Sequence, residues 1–145
     1  MRYAATEARV KSMTVSNYRI IAFATHGLAA GDLAGLGEPA LALTSPAVSG
    51  GHEDGLLTMG EIMRLRLDAD WVVLSACNTA TGQSGGAEAM SGLRRAFFFA
   101  GTRALLVSNW RVESASAKAL ATDLFTHYAA DPTLGKAEAL RRAMI

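Results

Sequence analysis

Two residues in this chain have the chemistry to break an acyl bond together. One is Cys77, the only cysteine among the 145 residues, and the other is His26, within Thr25-His26-Gly27. A free thiol is mostly protonated at neutral pH, and a neighbouring imidazole accepts its proton or stabilises the thiolate, which is the nucleophile. Gly27 follows the histidine without a side chain, so its backbone N–H can face an incoming carbonyl oxygen. The N–H of Cys77 would be the second donor of an oxyanion hole. Each residue alone also has a plain structural explanation. A lone cysteine at a strand end is commonly a buried, inert thiol, and a histidine there is commonly satisfied by backbone groups. Catalysis requires that the fold bring both to one edge.

The elements that would do so are readable. Trp71-Val72-Val73-Leu74 is an unbroken apolar run, too short for a buried helix, and predicts a strand covered on both faces. It gives way to Ser75-Ala76-Cys77-Asn78-Thr79 and a loop holding Gly82, Gly85 and Gly86. Tyr18–Ala24 predicts a second strand, ending at Thr25-His26-Gly27. If the two strands are parallel neighbours, about 4.8 Å apart, their C-terminal ends lie side by side, where α/β folds place their chemistry. A helix starting near Ala87 would add its N-terminal dipole to the thiol's surroundings, weakened by the intervening loop.

Elsewhere the pattern alternates. A short helix is expected over residues 5–13 with Thr6 as N-cap, and a short strand at Ala40–Thr44 within a Gly-, Ala-, Ser- and Pro-rich stretch from Leu28 to Gly51 read otherwise as loop. His52–Gly55 reads as a turn. Thr58 and Glu61 form a capping box for a helix over about 59–66. Helices are expected over residues 87–100, ended by Gly101, and over 115–129, capped by Ser114. The last would run from Leu134 to the end, after a strand at Ala104–Trp110. Strands alternating with helices predict a single α/β domain with a mostly parallel sheet and helices on both faces.

Composition excludes several functions. A net charge of +1 gives no reason to invoke nucleic acid or a membrane surface. One cysteine cannot form an internal disulfide, so a reducing cytoplasm is expected. Arg9 and Lys11 break any signal-peptide run, and Ala96–Trp110 is too short and too interrupted to span a bilayer. One cysteine and three dispersed histidines have no metal-ligand spacing, so neither metal nor cofactor is expected. Gly82–Gly86 lacks a phosphate loop's ending, and Ser75 and Ser108 lie in no nucleophile elbow.

Five segments in order resemble the CHAT domain, the caspase-like domain often found behind TPR repeats and related to caspases, gingipain and separase of clan CD. They are Phe23–Leu28, Asp54–Thr58 with Glu61-Ile62, Leu74–Thr79, Gly86–Leu93 and Ala104–Trp110. The resemblance implies a caspase-like fold and a cysteine endopeptidase, with His26 and Cys77 as a catalytic dyad and Gly27 and Cys77 as oxyanion-hole donors. It also implies a bacterial hydrolase acting on a protein or peptide substrate, gated by a TPR-type or other sensor module. Substrate recognition would fall near Asn109, Arg111 and Glu113. Glu113 would favour a basic residue and Arg111 an acidic one, or both simply solvate a helix start. Ala22 stands where many members have histidine, and Asn109 and Arg111 also depart from the common pattern.

Complete members carry an extra β–α portion before Tyr3 and a final strand after the last helix, so the resemblance implies a truncated domain. Exposed sheet edges would then favour self-association. Asp54 and Glu61 are expected to tie a turn and a helix cap rather than to react. The alternative from another class is a catalytically inactive CHAT-like scaffold or protein-interaction module. A small-molecule α/β-hydrolase is weaker still, because neither an elbow nor an acidic third member is evident.

Overall fold

The run Trp71–Leu74 folds as its composition predicts, a strand with every residue buried. The computed structural model describes residues 5–75, 86–108, 113–131 and 133–145. In chain order its elements are α1 (Glu7–Ser12), a 3-10 turn at Val15–Asn17, β1 (Ile20–Phe23), β2 (Gly27–Leu28), β3 (Ala40–Ala42), α2 (Pro46–Ser49), β4 (Leu56–Thr58) and α3 (Met59–Arg64). Then follow β5 (Trp71–Leu74), α4 (Gly86–Phe99), β6 (Leu105–Val107), α5 (Ser114–Ala130) and α6 (Lys136–Ala143). They divide into two compact units, Met1–Arg111 and Val112–Ile145.

In the first unit β1, β5 and β6 form a parallel sheet with β5 in the middle. The register sets Ile20 opposite Trp71, Phe23 opposite Leu74 and Leu74 opposite Val107. A strand flanked on both sides and buried on both faces has no water-facing positions, which is why its residues do not alternate. At the N-terminal ends of the three strands, exposed charges pair across the chain. Arg19 Nε lies 2.6 Å from Asp70, while Arg103 reaches Asp70 at 3.1 Å and Asp68 at 2.6 Å. Pairs this exposed contribute little to stability. Their value is in marking one end of the sheet as polar and ionic.

The Ala40–Thr44 piece is a strand, as expected, but it does not join that sheet. Its core, β3, is the middle strand of a separate antiparallel sheet ordered β2-β3-β4. Two- and three-residue strands such as β2 and β4 carry no readable period; they exist because β3 offers them partners on both sides. Likewise the stretch expected as loop contains α2, capped by Ser45 and started by Pro46.

Helix α3 begins as expected. The Thr58 hydroxyl accepts from Glu61 N–H at 3.4 Å, and the Glu61 carboxylate accepts from Thr58 N–H at 2.9 Å. Thr58→Ala is therefore expected to cost about 1 kcal/mol, read from the urea midpoint at unchanged slope. The core joins Leu41 and Leu57 of the antiparallel sheet, Ile62 of α3, Val72 and Leu74 of β5, and Leu93, Ala96 and Phe97 of α4. Of three consecutive phenylalanines only Phe97 is buried, its ring 5.6 Å from that of Phe23; Phe98 and Phe99 are exposed, as one helix cannot turn all three inward.

The second unit is a helical hairpin. Leu124 is buried and Leu120 and Tyr128 are half-buried, one stripe of α5, while Leu134 and Ala139 are buried about α6. The carboxylate of Glu113, not Ser114, caps α5, accepting from Ser116 N–H at 3.3 Å and Ser116 Oγ at 2.9 Å. No helix among the described residues is long and apolar enough to cross a membrane.

Candidate functional site

The C-terminal ends of β1 and β5 lie level, with Ser75 N–H donating to the Phe23 carbonyl at 2.9 Å. His26 follows Phe23 by three residues, past the end of β1 rather than on it, and is exposed. Its backbone is held firmly. The His26 carbonyl accepts from Ala42 N–H at 2.9 Å, and the hydroxyl of Thr25 donates to the Ala42 carbonyl. Both bonds fasten the histidine segment to β3. No described residue hydrogen-bonds to the His26 ring.

The ladder around Gly27 fixes the direction of its amide. Gly27 stands opposite Leu41, and the bond between their flanks, Ala42 N–H to His26 carbonyl, makes theirs a non-hydrogen-bonded pair. On the other side of β3, Leu43 N–H donates to Gly55 and Met59 N–H to Pro39, so Leu41 directs its own backbone groups toward Leu57 of β4. The Gly27 N–H therefore points away from β3, off the outer side of β2, although the residue itself is buried.

Cys77, Asn109 and Arg111 lie outside the described residues. Glu113 is described, and its carboxylate is engaged in the α5 cap. Asp54 and Glu61 take the structural parts expected of them. Asp54 Oδ1 accepts from Leu56 N–H at 2.8 Å in the turn before β4, and Glu61 completes the α3 cap. Beside His26 opens a cavity of about 440 Å³, walled by Leu28, Leu33, Leu43 and Leu56, with Asp54 and Ser45 among its polar groups. No sequence signal brings these leucines together, although Leu28 and Leu56 lie in two of the motif segments and Leu43 in the Ala40–Thr44 strand. Only the folding of β2, β3 and β4 against one another gathers them.

Compared with known families, residues 1–145 match the model of the CHAT domain over their whole length. The chain belongs to the CHAT-domain family. That family is related to caspase-like cysteine peptidases, and the parallel β1-β5-β6 sheet with its helices is consistent with a caspase-like α/β fold. No curated protein and no solved structure gives a match.

In this CHAT domain the loop bordering the cavity is tied to the first helix. Glu7 is buried, and one of its oxygens accepts from Gly55 N–H at 3.0 Å. Lys11, one turn along α1, sets its ammonium 2.5 Å from Glu7, 2.6 Å from Glu61 and 3.1 Å from Glu53. The three carboxylates converge closely enough to resemble a cation site, and the lysine itself supplies the cation. Burial raises the Glu7 carboxyl above its ordinary range, despite the opposing pull of Lys11 and Gly55. Burial acts the same way on Glu61, but there the bonds from Lys11 and Thr58 prevail and hold it low. Burial also works against the Lys11 charge, yet its bonds to Glu61, Glu7 and Glu53 keep its pKa above the ordinary value. Sequence reasoning missed this cluster because only the fold brings residues 7, 11, 53 and 61 together.

Proposed function

We propose that this CHAT domain is a cysteine endopeptidase in which Cys77 is the nucleophile and His26 its proton partner. The observation that carries the proposal is the in-register parallel pairing of β1 and β5. Phe23 stands opposite Leu74, and His26 and Cys77 each follow three residues later. The outward direction of the Gly27 amide supports its part as an oxyanion donor beside the N–H of Cys77.

In the proposed reaction His26 takes the thiol proton and the Cys77 sulfur attacks the scissile carbonyl carbon. The carbonyl oxygen becomes an oxyanion between the two N–H groups. Collapse of this adduct breaks the C–N bond, and His26 gives its proton to the departing amine, leaving a thioester on Cys77. Water, losing a proton to His26, attacks the thioester; the acid product leaves and the thiol is restored. We propose further that a neighbouring sensor module, of the TPR type or another, gates this chemistry.

The test is thiol reactivity in the whole chain. At pH 7 an ordinary thiol is only a few per cent thiolate, so a poised Cys77 is expected to react with iodoacetamide about tenfold or more faster in the native chain than in urea. His26→Ala should bring the native rate down to that of the denatured control. A native wild-type rate no faster than the control would overturn the peptidase proposal and leave a non-catalytic CHAT scaffold.

A further inference from the structure

The cavity beside His26 combines two kinds of wall. Leu28, Leu33, Leu43 and Leu56 make it predominantly apolar, while the Asp54 carboxylate stands at the turn on one side. At about 440 Å³ it is an open hollow, roomy enough for one side chain, with His26, Leu33 and Asp54 exposed along it. Asp54 spends one oxygen, Oδ1, on Leu56 N–H. No ion pair among the described residues uses its charge, although the adjacent Glu53 is paired with Lys11. An aliphatic wall ending in an uncompensated carboxylate matches a ligand whose own chain is aliphatic and ends in a cation. The stem lies on the leucines and the head meets the acid.

We infer that this cavity is a substrate subsite for a lysine or arginine side chain flanking the bond presented to His26. The inference deepens the peptidase proposal and rests on it for the scissile bond, but it assigns the pocket by its own chemistry. It also moves the recognition of a basic residue from Glu113, whose carboxylate is occupied by its helix cap, to Asp54. The turn holding Asp54 is well anchored, since Gly55 N–H donates to Glu7 and Leu43 N–H donates to the Gly55 carbonyl at 2.7 Å. The carboxylate is therefore presented from a fixed backbone.

The experiment needs no turnover, so it stands apart from the alkylation test. The isotope-labelled whole chain is titrated with N-acetyl-arginine methylamide and, separately, N-acetyl-norleucine methylamide, following the amide signals of Gly55 and Leu56 and the ring protons of His26. The arginine derivative is expected to bind about three- to fivefold more tightly, the scale of a solvent-touched ion pair. Asp54→Asn keeps Oδ1 as the acceptor for Leu56 N–H, so the turn survives while the charge is lost. It should erase the arginine advantage and leave norleucine binding unchanged. Leu33→Ala, at a half-exposed wall, should weaken both derivatives alike. Equal or tighter binding of norleucine to the wild type, an arginine preference that persists in Asp54→Asn, or no shift at Gly55 and Leu56 with either probe would each overturn the assignment. Should the thiol prove inert while the arginine preference holds, the pocket stands as a binding site without the peptidase.

Discussion

Gly101→Ala is expected to lower the unfolding free energy by about 3–4 kcal/mol, from backbone strain plus the loss of a hydrogen bond. Helix α4 ends in a Schellman motif. Gly101 N–H donates to Phe98 and Thr102 N–H to Phe97, both at 3.1 Å, and Gly101 takes φ +105°. A side chain is disfavoured at that angle whatever its surroundings. Here the surroundings are worse than neutral, because an added Cβ would fall 2.2 Å from the Leu67 carbonyl oxygen. Relief requires moving the end of α4, which carries the buried Phe97, or the segment of Leu67 that leads into β5. Leu67 N–H donates to Ala100 at 2.7 Å, and either movement strains that bond. Gly31→Ala is the control. Its φ is +86° but nothing lies within 4 Å of the new carbon, so only the conformational cost of about 1–2 kcal/mol applies. Urea unfolding of the two variants separates the effects; equal losses would mean that the approach of Leu67 contributes nothing.

Lys11→Met is expected to cost about 2 kcal/mol at pH 7, between the ~0.2–1 of an exposed ion pair and the ~3–5 of breaking a buried one. The ammonium is partly exposed and Glu7 is buried, which places the site between those limits. Methionine keeps the aliphatic stem but leaves Glu7, Glu53 and Glu61 converging without a cation. The pH dependence follows in sign. Glu61 is held low, so in the wild type its contribution is present above its unfolded value and is lost as pH falls through its folded value. Glu7 is raised, so its contribution is present below its unfolded value and lost as pH rises through the folded one. Without Lys11 both carboxylates shift upward, so protonation relieves the variant more than the wild type, in which the protonation of Glu61 is a loss. The stability gap should therefore narrow as pH falls through the carboxylate range. A gap independent of pH would show that the lysine acts through packing alone.

Much of this was open to a reader of the sequence, and the rest was hidden for physical reasons. The strand at Trp71–Leu74 declared itself because a doubly covered parallel strand leaves no polar position. Thr58 with Glu61, and Gly101 after α4, are local signals whose geometry depends on few residues. That β1 and β5 run parallel also followed from the alternation of strands and helices, whereas their being neighbours stood there only as a condition. The antiparallel sheet did not, because Gly27-Leu28 and Leu56–Thr58 are strands only by virtue of β3 between them. Glu7 as the buried residue of α1 was equally hidden. Glutamate in a first turn reads as a solvated charge until Lys11 and the Gly55 amide, the latter far along the chain, are seen around it.

The pairing of β1 with β5 also orders events in time. Setting Ile20 beside Trp71 closes a loop that contains the whole antiparallel sheet. Loop entropy rises by only about 0.6 kcal/mol per doubling of length, so the insertion costs little once the domain is folded. It costs more in speed, since distant pairings are slow to find. A chain being synthesised carries His26 well before Leu74 exists to stand beside Phe23. On the proposed chemistry, a newly made chain holds a histidine without its thiol until the sheet has closed, and the ribosome has passed the whole antiparallel sheet before any bond is at risk.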